Sequence, residues 1–149
     1  MKEGQSDLLQ RLDNALDLFQ KEMKDAGLWD QVTVAATSDF GRTLTPNGGE
    51  GSDHGWGGNY FMMGGSVKGG QILGEYPSDL TSTGDLNIGR GRLIPTLSWE
   101  SMLMSAVQWL GLDTEEELDY VLPNRYQSET RLYTMNEVFE TKSNLRGTE

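Results

Sequence analysis

Val32-Thr-Val-Ala-Ala-Thr-Ser-Asp-Phe-Gly-Arg-Thr43 (VTVAATSDFGRT) is the stretch whose reading decides the fold. Its first five residues are uncharged and β-prone, which suits a strand buried on both faces, as in a parallel sheet. Upstream, Leu8, Leu9, Leu12, Ala15, Leu16, Phe19 and Met23 recur at spacings of three and four. That stripe predicts an amphipathic helix over 7–26, with Ser6 as N-cap and Gly27 as the residue that ends it. Helix, short turn and buried strand make half of an α/β unit. The expected fold class is therefore α/β: a short, mostly parallel sheet covered by this helix and by a second one near 98–110.

Downstream the composition changes. Fifteen of the 19 glycines lie between Gly41 and Gly91, and long stretches without regular elements are usually functional or disordered. Trp56, Tyr60, Phe61, Ile72 and Tyr76 keep appearing there, which favours an ordered, glycine-rich loop region with short strands at Tyr60–Met63 and Gln71–Leu73. Helical pattern returns after Ser98, with Trp99, Leu103, Ala106, Val107 and Leu110 as its stripe and Gly111 as its stop. Thr114-Glu-Glu-Glu117 is a capping box that opens a short helix ending before Pro123. Beyond Asn124 apolar residues thin out. The reading is one α/β domain over 1–123 and a loosely packed acidic tail over 124–149, with one turn near Met135–Phe139. No internal repeat is visible.

Charge and residue usage exclude several functions. There are 12 Lys and Arg against 23 Asp and Glu, a net charge of −11, and both nucleic acid and anionic membranes require a basic surface. No apolar run is long enough to span a bilayer. The opening MKEGQSDLLQ holds no hydrophobic signal core, so the chain as written is expected to lack an export address of its own. With no cysteine and one histidine, disulfides, iron–sulfur clusters and cysteine zinc sites are impossible.

The chemistry-bearing residues sit just past the predicted strand. Asp39 follows its carboxyl end, where open α/β sheets gather ligand groups. Gly41 behind it would let another backbone approach. Asp53-His54 puts a carboxylate beside the one imidazole inside the glycine-rich loop, a pair able to ligate a metal or to act as acid/base and orienting partner. Asp39 as a turn cap and His54 as a hydrogen-bonded loop histidine are the plain alternatives. Arg42, Arg90 and Arg92 could clamp an oxyanion. Neither a dinucleotide nor a P-loop fingerprint occurs, so a nucleotide-phosphate cradle is not supported.

VTVAATSDFGRT at 32–43, GSDHGWGGNYFMMGGSVKGG at 51–70 and GRGRLIPTLSWE at 89–100 together resemble the C-terminal part of a large bacterial family, the domain-of-unknown-function 1501 family. The likeness runs from about Leu8 to Asn124. Such proteins are placed by similarity in the alkaline phosphatase and sulfatase superfamily. The resemblance implies an alkaline-phosphatase-like fold, here part of a three-layer sandwich, and hydrolysis of small phosphate or sulfate esters with a divalent metal (Zn, Mn, Ca or Mg). It implies metal ligation by Asp39 and His54, an assisting Asp53, substrate contact by Arg42 and an extracytoplasmic address. Phe40 stands where the superfamily carries a ligating histidine, and the half that brings the first carboxylate and the nucleophile has no counterpart. The chain alone is therefore expected to hold metal weakly and to be inactive. The alternative is a non-catalytic structural or binding module that keeps the fold. An uncovered sheet edge or helix face is expected to favour self-association.

Overall fold

The computed structural model describes residues 3–140. In chain order these form α1 (Glu3–Asp25), a 3-10 turn (Trp29–Gln31), β1 (Thr33–Ala36), β2 (Arg42–Pro46), β3 (Ser52–His54), β4 (Phe61–Gly64), α2 (Trp99–Trp109), α3 (Glu115–Val121) and α4 (Met135–Val138). None of the described helices is long and apolar enough to cross a membrane.

The leucine stripe winds into α1, which starts ahead of Ser6, so that serine lies inside the helix rather than capping it. Gly27 ends the helix at φ +68°. There Leu28 N–H reaches the Met23 carbonyl at 2.8 Å, the left-handed stop that glycine adopts without a Cβ penalty. The helix packs mainly against the 3-10 turn beyond its own end. Its leucines stay in solvent: Leu8 is 64% exposed, Leu9 57% and Leu12 46%.

The strands depart from the expected parallel sheet. β1 pairs with β4, Thr33 opposite Gly64 and Ala36 opposite Phe61, and β2 pairs with β3; both pairs are antiparallel. A parallel neighbour needs a long crossover, usually helical. The chain between β1 and β4 instead turns back through the β2–β3 hairpin. β1 is half-buried with Ala35 exposed, not buried on both faces. Gln71–Leu73 forms no strand, and Ile72 stands 94% exposed.

The core lies in the helical half. Ser98 and Ser101 close the N-terminal box of α2, and Gly111 ends that helix at φ +92°. The most buried residues are Ser101, Met104 and Ser105; of the expected stripe Leu103, Ala106 and Val107 pack against the core clusters, while Trp99 and Leu110 at its ends face solvent. Met104 packs with Leu118 and Leu122 around α3. The small Ser101 lets the following chain close in: its carbonyl accepts Tyr133 N–H at 3.1 Å, and its hydroxyl meets Thr130 Oγ1 at 3.3 Å.

Residues 124–140 are therefore not loosely packed. Tyr133, Val138 and Phe139 form a second buried cluster with Met62, Val67, Leu97, Ala106, Trp109 and Met135, and Phe139 stacks on Trp109 at 5.3 Å. Their partners lie far back in the chain, so local periodicity could not reveal them. Residues 141–149 of the expected tail lie outside the described residues.

Candidate functional site

Two five-residue turns build the site. Asn47-Gly-Gly-Glu-Gly51 and Asn87-Ile-Gly-Arg-Gly91 share the pattern N-x-G-x-G. In the first, Asn47 Oδ1 accepts N–H bonds from Gly49 and Gly51, both at 3.0 Å. In the second, Asn87 Oδ1 accepts from Gly89 at 2.9 Å and Gly91 at 3.1 Å. The fourth residue of each, Glu50 and Arg90, takes a left-handed φ of 59°. The chain thus carries a short internal repeat after all, one of turn chemistry rather than hydrophobic pattern.

β2 is irregular: Arg42 faces His54, while Pro46 faces Ser52, so the ladder bulges between them. Thr43, buried, fills the bulge by accepting Asp53 N–H at 3.0 Å and donating to the Thr45 carbonyl at 2.9 Å. The bulged backbone is then free to hold the second turn. Leu44 N–H reaches the Gly91 carbonyl at 3.1 Å, and Thr45 N–H reaches that of Arg90 at 3.2 Å.

This docking carries Arg90 to Asp53, at 2.5 Å. Asn47 Nδ2 donates to the same carboxylate at 2.9 Å. The Asn47 hydrogen bond first, and then Arg90, holds the Asp53 carboxyl below its usual range.

Close backbone contact fixes the rest, as the reading of Gly41 anticipated. Gly41 N–H bonds the Trp56 carbonyl at 3.0 Å, Gly55 N–H bonds the Gly41 carbonyl at 2.7 Å, and Gly57 N–H bonds that of Leu93 at 2.7 Å. A Cβ on Gly41 would overlap the Gly57 carbonyl oxygen.

Arg42, Ser52, Asp53, His54 and Arg92 line an open depression of about 360 Å³. Arg42 Nε donates to Ser52 Oγ at 3.0 Å, and its Nη2 donates to the Ser52 carbonyl. His54 is exposed, its ring against Phe40 with centroids 4.2 Å apart. The Phe40 ring thus buttresses the imidazole. Arg92 has no side-chain partner among the described residues. Asp39 falls in an exposed bend just past β1, outside the lining of the depression.

Of the residues singled out from sequence, the fold brings Arg42, Asp53 and His54 together with Arg92 and leaves Asp39 apart. Sequence reasoning missed Ser52 and Asn47, and the doubled N-x-G-x-G pattern was the signal that could have found Asn47. Arg42 and Arg92 line the depression with one carboxylate, Asp53, which already serves Arg90 and Asn47. Among the described residues no group of three or more His, Cys, Asp or Glu side chains is placed to hold a metal ion.

The model of the family described as "Protein of unknown function (DUF1501)" matches residues 1–126. That span takes in the four strands, the depression, α2 and α3. No curated protein and no solved structure matches the chain.

Proposed function

The chain belongs to the DUF1501 family of proteins of unknown function, and on that premise we propose that it is a binding domain for small phosphate or sulfate esters. The observation that carries this reading is the excess of guanidinium in the depression: Arg42 and Arg92 flank His54, while the one carboxylate is taken up by Arg90. Guanidinium matches the oxygens of phosphate and sulfate in pairs of parallel hydrogen bonds. The Ser52 hydroxyl and the His54 ring add polar contacts at the same opening. A depression this open binds weakly, at about millimolar, equivalent to about −4 kcal/mol.

A metal-dependent phosphate- or sulfate-ester hydrolase of alkaline-phosphatase-like fold is the second reading, favoured by the exposed His54 beside two arginines and supported by the superfamily resemblance. It needs ligands that Asp39, Asp53 and His54 do not assemble, so this chain alone is expected to bind without turnover. An extracytoplasmic address is proposed on the same resemblance.

Titration calorimetry with inorganic phosphate, sulfate and p-nitrophenyl phosphate tests the binding reading. Heat should appear for all three, weaken with added chloride, and fall about tenfold in affinity in Arg92→Gln. Equal binding in wild type and Arg92→Gln would sink it. Release of nitrophenol that depends on added Zn²⁺ or Mn²⁺ would favour the hydrolase instead.

A further inference from the structure

The uncovered face of α1 has a spacing that selects its occupant. Leu9, Leu12, Leu16, Phe19 and Met23 follow the alternating three-four step of a heptad seam, and Ala26 continues it just past the helix. Such a step fits a second helix better than a sheet. We propose that the occupant is a second copy of this chain, with the two α1 helices antiparallel and related by a two-fold axis.

In that arrangement Leu12 of one copy meets Met23 of the second, and Leu16 meets Phe19. Leu9 reaches Ala26. Along the flanks Asp13 lies across from Gln20, and Glu22 across from Ala15, so no like charges face each other over the seam. Antiparallel pairing also sets the dipole of each helix against the opposite end of the other.

Exposure supports the pairing. A 23-residue helix is about 35 Å long, and on its seam Leu9 stands 57% exposed, Leu12 46% and Phe19 37%, an apolar line that a second helix of the same length covers. Because each copy carries a net charge of −11, the seam is apolar attraction working against long-range repulsion. Salt therefore tightens the dimer, the reverse of what a basic partner would show.

Sedimentation equilibrium on the full chain tests this. The expected mass is twice 16.6 kDa, with a dissociation constant that falls on going from low salt to about 0.5 M salt as screening shortens. Leu12→Lys should weaken the dimer at least tenfold. Leu18→Lys, the same change at a 60% exposed position off the seam, should leave it within twofold. Because the chain has no cysteine, the register can be read separately. Leu12→Cys chains mixed with Met23→Cys chains should cross-link to each other faster than either does with itself. A wild-type chain that sediments at its single mass overturns the proposal. So do equal losses in the two lysine variants, or a predominant link between two Leu12→Cys chains.

Discussion

Helices α1 and α2 differ in what lies against them. Both carry an apolar stripe, and both stop at a left-handed glycine, Gly27 and Gly111. α2 is met by α3 and by the segment through Phe139, and its inner face falls to 0% exposure at Ser101 and Ser105. α1 is met by little beyond the turn at Trp29, and its leucines remain wet. Amphipathic pattern makes a helix in either place; only the returning chain makes a core. The depression is lined by residues of neither helix. Turn hydrogen bonds and close glycine contacts shape it instead.

The contrast is broken most forcefully at Phe139. Phe139→Ala should cost about 3–5 kcal/mol in urea unfolding, since that ring is 1% exposed and stacked on Trp109. Leu12→Ala in dilute protein should change stability by no more than about 0.5 kcal/mol. Equal losses at the two positions would show that α1 has a packing partner within its own chain.

Gly41→Ala asks whether backbone approach shapes the depression. The overlap with the Gly57 carbonyl should cost about 1–3 kcal/mol and weaken phosphate binding at least as much as Arg92→Gln does. Normal affinity in a stable Gly41→Ala protein would contradict that role.

A smaller effect separates the two turns. Asn47 ties its turn to Asp53, whereas Asn87 Nδ2 reaches the Thr81 carbonyl at 2.8 Å. Each Asn→Ala change should cost about 1 kcal/mol. Asn47→Ala should move the Asp53 titration, followed by NMR, back up toward the ordinary carboxylate range more than Asn87→Ala does. An unchanged Asp53 titration in Asn47→Ala would place the cause elsewhere.

The smallest effect belongs to the helical half. The Thr134 backbone and hydroxyl, helped by Arg131, hold the Glu137 carboxyl down at about 2. A depressed carboxylate contributes stability above its unfolded pKa and loses it as pH falls toward the folded value. Glu137→Gln keeps the cap but not the charge. Its deficit should stay below about 1 kcal/mol after solvent screening, and it should vanish between about pH 4.5 and 2. A deficit that persists at pH 2 would mean the side chain acts through packing.

Where local chemistry decides, the structure was legible in advance. Gly27, Ser98, Gly111 and the box at Thr114–Glu117 all do what their types suggest, and Gly41 admits another backbone as read. The sheet was not legible, because strand direction depends on where the intervening chain goes. The burial of Tyr133 and Phe139 was hidden for the same reason, since Met62 and Val67 are distant in sequence. At the site, Arg42, Asp53 and His54 were singled out and do meet. The commitment of Asp53 to Arg90 was not foreseen, because it follows from a turn docking on a bulge.

Anion affinity measured after exhaustive chelation tests the central claim most directly. If arginines rather than a metal recognise the ester, phosphate and sulfate should bind chelator-treated protein as they bind the untreated chain, with Arg92→Gln about tenfold weaker in both. Binding that disappears with chelator and returns with Zn²⁺ or Mn²⁺ would contradict it.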